Sequence, residues 1–307
     1  MKYSSKMALD IQECDYSTFS LGKFSVWLLS LFCLFCIKIR PKKTGKDNTK
    51  STTFPYFFTS FLSMVLGLKP TILNIYKKLN TDISVLNSDS YLSFPSEGNI
   101  VEWHRDGAFQ LNTESIKLKT GSRTIKFFIY LDPTPFRRKK TEGGLYGLVK
   151  KISNIQVDSY KIKSDEIGGK FSPKGALSLI PCTSQITRAV NNAIFNEFIP
   201  FDRDHTLGDI AARVQDILDE MDRRNLQSFF GLNREKYVSF ISMANNTLSL
   251  GSGFSNFFTT FQVVPGKVVV FDDKAIHRGG ATIDSKRLVL RVIVSGNRLE
   301  DTLLTTQ

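Results

Sequence analysis

From Leu79 onward, the chain divides into short segments rich in β-branched and aromatic residues and bounded by Gly, Pro, Asn or Asp. Many short strands without alternating helices indicate an antiparallel barrel or jelly roll rather than a parallel sheet. Eight segments are predicted as strands: SYLSF around Tyr91, TIKFFIYL (124–131), GGLYGLV (143–149), GALSLIP (175–181), YVSFISM (237–243), FFTTFQVV (257–264), KVVVF (267–271) and RLVLRVIV (287–294).

One helix is predicted to interrupt the strands. Thr206 is placed to cap it, with Asp209 three residues later, and apolar residues from Leu207 to Met221 then recur at helical spacing. We place this helix in an insertion around residues 186–236. It either covers one side of the barrel or closes over its mouth.

The first 78 residues are predicted to form a helical, apolar extension to a domain spanning 79–307. Two uncharged stretches, Phe24–Ile37 and Ser51–Leu68, flank a basic loop. As a helix the first would span about 21 Å, short of a hydrocarbon core of about 30 Å. We expect both to be helices packed on the barrel, with weak peripheral membrane contact and a single span as alternatives.

Composition indicates which partners and which cellular compartment to expect. The formal net charge of +12 favours nucleic acid, a membrane surface or an anionic substrate, although much of the excess lies in the runs KIRPKKTGK (38–46) and RRKK (137–140). Four cysteines in 307 residues do not make a disulfide framework. A reducing, cytoplasmic location is expected, with membrane association left open. Oligomeric state is not indicated.

Two of the three histidines fit a metal site. His104 and Asp106 form a His-x-Asp pair, which an extended backbone directs to one face, and His277 follows a strongly apolar strand. Two imidazoles and one carboxylate suit non-haem Fe(II) oxygen chemistry. The remaining histidine, His205, is predicted to be a polar residue beside a helix start.

Two arginines on the last predicted strand are candidate ligands for a carboxylate. Arg287 lies ten residues after His277, and Arg291 lies four residues further on the same strand face. A guanidinium can bind the distal carboxylate of 2-oxoglutarate through two hydrogen bonds. Arg287 is the first choice and Arg291 the competitor.

These motifs together resemble a known family. The runs WHRDGAF, TIKFFIYLDPT, EGGLYGL, GKVVVFDDKAIHRGGA and KRLVLRVIV, within Ser88–Gly296, resemble the phytanoyl-CoA dioxygenase-like Fe(II)/2-oxoglutarate oxygenases. The resemblance implies a double-stranded β-helix, a jelly-roll or cupin-like barrel with flanking N-terminal and inserted helices. It also implies iron on His104, Asp106 and His277, 2-oxoglutarate on Arg287, O₂ as oxidant, and a small or carrier-bound organic substrate. The segments IPCTS (180–184) and RGGATIDSK (278–286) depart from the family pattern and leave the substrate open.

The sequence leaves three alternatives open. One is a catalytically silent jelly-roll binding protein. Another is a nucleic-acid-directed oxygenase, against which the spacing of the two arginines and the lack of a basic segment interleaved with aromatics both argue. The third is a metal-dependent isomerase or hydrolase of cupin type, which usually requires a third histidine ligand that His205 is poorly placed to supply.

Overall fold

The computed structural model describes residues 2–42, 49–54, 81–94, 102–106, 122–135, 177–200, 205–249, 258–261, 263–279 and 286–298. The predicted strand GGLYGLV and the greater part of Ser51–Leu68 lie outside these ranges. The helices are α1 (Lys2–Cys14), α2 (Lys23–Ile39), α3 (Ser184–Phe195), α4 (Leu207–Arg223) and α5 (Arg234–Ser249). The strands are β1 (Tyr16–Ser20), β2 (Thr49–Phe54), β3 (Thr81–Ser93), β4 (Ser122–Leu131), β5 (Leu177–Leu179), β6 (Ser228–Phe229), β7 (Leu232–Asn233), β8 (Thr259–Phe261), β9 (Lys267–Asp272), β10 (His277–Gly279) and β11 (Arg287–Arg298).

Two antiparallel sheets form the centre of the protein. The large sheet has the order β1-β9-β4-β11-β3-β2, and the small sheet has the order β10-β5-β8. His104 extends the small sheet by bridging to His277. Along the chain from β3, successive described segments alternate between the two sheets. The large sheet contains β3, β4, β9 and β11. The small sheet receives the segments that fall between them: His104 after β3, β5 and β8 after β4, and β10 after β9.

Strand alternation gives the large sheet two different faces. Its outer face carries a core of aliphatic and aromatic residues, including Phe127, Val270 and Leu290, which packs against α1 and α2. Its inner face carries Tyr130, Phe271 and Val289, which form a second cluster with small-sheet residues Leu177, Leu179 and Phe261. The inner cluster therefore holds the two sheets together.

The described part of the chain forms open sheets, not a closed barrel. The prediction of mainly antiparallel β structure with flanking and inserted helices is confirmed at this level. The predicted closure of the barrel is not seen in the ranges given above.

The N-terminal region is only partly helical. Phe24–Ile37 lies within α2 and packs on the large sheet, whereas β2 occupies the start of the second uncharged stretch and pairs with β3. The predicted helix is therefore wrong for Ser51–Phe54, which forms part of a strand. Thr52 and Phe54 are buried and the residue between them is exposed, as in a half-buried strand. None of the described helices is both long and apolar enough to cross a membrane. The division of the chain at residue 78 stays a prediction.

Between β5 and β8, the described residues include three helices, α3, α4 and α5. The prediction of α4 is confirmed, including the capping box between Thr206 and Asp209. The segment YVSFISM was wrongly predicted as a strand, since it lies within α5. The buried residues of α5, among them Tyr237, Phe240 and Ala244, recur at helical spacing and pack beside α4, which overrides the β preference of the intervening Val and Ile.

Candidate metal centre

Strand pairing brings the two predicted histidine ligands together. The His104 N–H donates to the His277 carbonyl oxygen at 3.0 Å, and the His277 N–H donates to that of His104 at 2.8 Å. Residues that exchange both backbone hydrogen bonds lie directly opposite each other and project their side chains to one face. Their ring centroids are 4.7 Å apart. Leu179, the partner of His277 on the other side, belongs to the inner cluster, so this face points between the sheets.

Asp106 completes the group from two residues beyond His104. Its Oδ1 lies 3.8 Å from His104 Nε2, and its Oδ2 lies 3.1 Å from His277 Nε2. One ligand atom from each of the three residues lies within 4.8 Å of the others. Ligands about 2.1 Å from one metal ion and at right angles would be about 3 Å apart. The 3.1 Å separation of Asp106 Oδ2 from His277 Nε2 matches this spacing, and the donor types are those of a two-histidine, one-carboxylate site.

Both imidazoles are oriented by backbone carbonyl groups. His104 Nδ1 lies 2.7 Å from the Glu102 carbonyl oxygen, and His277 Nδ1 lies 2.9 Å from that of Ala275. A carbonyl can only accept, so each Nδ1 carries a proton and each Nε2 faces Asp106. Hydrogen bonds of this kind fix the ring and tautomer of metal-ligating histidines. The chemistry of the donor set therefore fits a divalent metal ion.

The segment before His277 is anchored to α3. Thr183 Oγ1 accepts a hydrogen bond from the Ile276 N–H at 2.9 Å, and Thr187 Oγ1 donates to the Lys274 carbonyl at 2.7 Å. The Phe271 ring also packs against His277, with centroids 5.0 Å apart. These contacts hold the short connection between β9 and β10, and with it the position of His277.

A buried lysine contacts the candidate site. Lys126 of β4 places its ammonium against Asp106 Oδ2 and is only 5% exposed. Burial acts to raise the pKa of Asp106, but His277 and Lys126 more than offset it, so the pKa of this carboxyl lies far below its usual range. Burial and the neighbouring His277 lower the pKa of His104. The site is therefore built to hold a carboxylate and, at His104, a neutral imidazole at neutral pH.

The two candidate arginines share the inner face but have different contacts. Arg287 lies over the Tyr91 ring, with Cζ 5.7 Å from its centroid, and its charge acts on the phenols of Tyr91 and Tyr130. Arg291 is bound by Asp89 of β3. Burial acts to lower the pKa of Arg291, but the hydrogen bonds and charge of Asp89 raise it, with a smaller contribution from Asp106.

Sequence reasoning missed Lys126 and Asp89. A signal for Lys126 was present, since a single cation inside TIKFFIYL alternates with Phe128 and Tyr130 toward the inner face. Asp89 had no comparable signal, because its role depends on lying opposite Arg291 in the ladder. His205 is placed as predicted, immediately before the cap of α4, with its ring centroid 6.0 Å from that of His104.

Comparisons with known proteins give structural likeness only. No protein-family model and no curated protein matches the chain, so the resemblance to the phytanoyl-CoA dioxygenase-like family stays a prediction. A Pseudomonas putida prolyl-4-hydroxylase is similar over 96% of this chain and 98% of its own, at 11% identity and a TM-score of 0.44. SnoK, a non-heme alpha-ketoglutarate-dependent carbocyclase from nogalamycin biosynthesis, is similar over 98% of this chain and 90% of its own, at 14% identity and a TM-score of 0.47. HygX from Streptomyces hygroscopicus, solved with nickel and 2-oxoglutarate, is similar over 96% of this chain and 87% of its own, at 11% identity and a TM-score of 0.48.

Proposed function

We propose that the protein is an Fe(II)- and 2-oxoglutarate-dependent dioxygenase that hydroxylates, or otherwise oxidises, a C–H bond of a small or carrier-bound organic substrate. The observation that carries the proposal is the convergence of His104, Asp106 and His277, with both histidine Nδ1 atoms bound to backbone carbonyls. Three ligands on one face leave the remaining positions of an octahedral ion open. When bound, iron with 2-oxoglutarate and O₂ would supply the oxidising chemistry.

We also propose that the two sheets are the halves of a double-stranded β-helix. The alternation of successive segments between the sheets from β3 to β11 supports this, because a jelly roll is a double sheet of eight strands. In such a fold the inner face of each sheet lines one shared cavity. His277 of the small sheet and Arg287 of the large sheet both project into that space.

In the proposed enzyme, the chain's own residues would position the co-substrate. Arg287 would bind the distal carboxylate of 2-oxoglutarate, beside the hydroxyl-bearing rings of Tyr91 and Tyr130. Buried aromatic residues of the inner cluster would exclude water from the reacting region. The net charge of +12 is compatible with an anionic substrate.

One observation favours a second candidate, a catalytically silent binding protein. The Lys126 ammonium already contacts the Asp106 oxygen that faces His277. A cation at that position can satisfy the carboxylate without a metal ion. In this alternative the histidines and Asp106 would be a structural hydrogen-bonded group in a ligand-binding fold.

Anaerobic titration with Fe(II) and 2-oxoglutarate separates the two candidates. The proposed enzyme should develop the weak visible charge-transfer band of the ternary complex, and His277→Ala should abolish it. His205→Ala is the matched control, since it removes a histidine outside the proposed ligand set. If the wild type shows neither the band nor metal binding by calorimetry, the proposed enzymatic function is rejected and the binding-protein alternative is favoured.

A further inference from the structure

Helix α2 is apolar on two opposite faces. One face is buried on the large sheet through Val26, Leu29, Cys33 and Ile37. At about 100° per residue, a second set of large apolar residues points the opposite way. We call this set the α2 outer face; it consists of Phe24, Trp27, Leu28, Phe35 and Ile39.

The α2 outer face is well exposed. Phe24 is 73% exposed, Phe35 62% and Ile39 57%, and the Phe24 and Trp27 rings lie 6.2 Å apart. Five of the nine exposed large hydrophobic side chains among the described residues belong to this one helix. Scattered exposed apolar residues need no explanation, but a concentration of them on one surface marks an interaction site.

Basic residues lie at both ends of the apolar face. Lys23 stands at its N-terminal end, and Lys38, Arg40 and Lys42 stand at its C-terminal end, all exposed. The helix itself contains no acidic residue. Aromatic and aliphatic side chains on one face, with Lys and Arg beside them, form the surface that binds at a lipid headgroup boundary. The positive charge selects anionic lipid.

We propose that the α2 outer face docks the protein on a bilayer surface containing anionic phospholipid, with the helix parallel to the membrane. The 17 residues of α2 give a helix about 25 Å long, which is too short to span but long enough to lie in the headgroup region. The proposal is independent of the proposed enzymatic function. Helix α2 packs on the outer face of the large sheet, whereas the candidate metal ligands lie on its inner side, at the small sheet, so docking would leave the candidate site free.

A second copy of the chain fits this surface less well. Antiparallel pairing of two α2 helices would place Lys23 of one copy beside Lys38 and Arg40 of the other. Parallel pairing would place each cation beside its own equivalent. Neither arrangement offers a carboxylate from α2 to offset the repulsion, whereas anionic headgroups supply the opposite charge along the whole helix.

Vesicle flotation of the full-length protein tests the proposal. We expect binding to vesicles of phosphatidylcholine with phosphatidylserine, and much weaker binding to phosphatidylcholine alone. Phe24→Ser combined with Phe35→Ser should lower the partition coefficient on the order of tenfold or more. Phe195→Ser, on an exposed phenylalanine of α3, is the matched control and should change it little. Circular dichroism and the unfolding midpoint verify that each variant is folded.

Trp27 provides an independent readout of the docking face. Its fluorescence should shift to shorter wavelength when the vesicles are added, and Trp27→Phe should remove the shift while binding persists. Failure of the wild type to bind anionic vesicles would overturn the proposal. So would unchanged binding of the Phe24/Phe35 variant, or a lipid-free dimer that this variant dissociates, because the surface would then serve a second copy.

Discussion

The Asp89 carboxylate binds the Arg291 guanidinium across the ladder between β3 and β11. Arg291 Nε donates to Oδ1 at 3.0 Å, and Nη2 donates to Oδ2 at 2.5 Å. A guanidinium bound in this bidentate way already has its carboxylate partner. Arg291 is therefore the weaker candidate for a ligand carboxylate, and Arg287, four residues earlier on the same face, stays the proposed one. The pair bears on Arg291 alone among the two arginines that the sequence left in competition.

The first prediction contrasts these two arginines. Arg287→Ala should raise the apparent KM for 2-oxoglutarate by roughly 10- to 100-fold with a smaller effect on kcat, because it removes binding made equally in the ground and transition states. Arg291→Ala should instead lower the free energy of unfolding by about 1–3 kcal/mol, since it leaves the partly buried Asp89 without its partner. Initial rates of succinate formation and urea denaturation measure the two effects. A larger KM effect in Arg291→Ala would exchange the roles.

The second prediction concerns Lys126. Its ammonium lies against the same Asp106 oxygen that faces His277, so it repels any metal ion bound there. Lys126→Met should therefore tighten Mn(II) binding by roughly 10-fold or more, given Coulomb energies of a few kcal/mol at such distances. The metal-free variant should also be less stable, because Asp106 loses a compensating charge.

Isothermal titration calorimetry with Mn(II) measures the change in affinity. Lys274→Met is the control, since the Lys274 ammonium lies 3.5 Å from the Asp106 backbone carbonyl and pairs with Asp273 rather than with the ligand oxygens. Weaker Mn(II) binding in Lys126→Met would show that the lysine instead positions the carboxylate for the metal.

The sequence predicts those parts of the site that depend on local geometry. The two-residue spacing of His104 and Asp106 brings their side chains close together, and the Thr206 cap follows from residues three apart. His277 was also predictable, because it follows the apolar strand β9 after a short turn. In these cases neighbouring residues determine the outcome.

Features that depend on distant residues could not be predicted. The Arg291–Asp89 pair depends on the register of β11 with β3, and the Lys126 contact depends on how β4 lies beneath the small sheet. Segment YVSFISM has strand-like composition, yet packing against α4 makes it helical. Its available signal was Asn233, whose side chain caps the helix by accepting from the Lys236 N–H at 3.1 Å.

The third prediction uses the pH dependence of stability. Asp15, which lies between α1 and β1, is buried against the first residue of α3. Its carboxylate accepts hydrogen bonds from the Ser184 N–H at 2.8 Å and from the Ser184 hydroxyl at 2.5 Å. Burial, with a further contribution from Asp272, raises its pKa to about 6 from an ordinary value of 3.8. The folded state therefore holds the proton more tightly than the unfolded state. The contribution of this group to stability grows as pH falls through 6 and is lost as pH rises through it.

The Asp15→Asn variant tests this linkage because it removes the titrating group. Between pH 8 and pH 5, the free energy of unfolding of the wild type should rise relative to that of the variant by about 1 kcal/mol. Urea denaturation at both pH values measures the difference. Asp219→Asn, at an exposed position of α4, is the control and should show no such trend. A difference independent of pH, or one that grows toward pH 8, would contradict the prediction.

The last prediction concerns Arg278, the residue after His277. It is 7% exposed, and its guanidinium lies over the rings of Trp103 and Phe258, with Cζ at 4.5 and 5.6 Å from their centroids. Within the described part of the chain no carboxylate faces it, and burial lowers its pKa to about 10. A buried cation that faces aromatic rings rather than a carboxylate costs folding free energy, whereas its aliphatic stem packs favourably. Arg278→Met keeps an unbranched apolar side chain and removes the charge, so the free energy of unfolding should stay the same or rise by about 1–2 kcal/mol.

Arg188→Met is the matched comparison and should destabilise the protein, because Arg188 pairs with the fully buried Asp272 at 2.6 Å. Urea denaturation of both variants gives the answer, and a loss of stability in Arg278→Met as large as that in Arg188→Met would mean that the Arg278 charge has a stabilising partner.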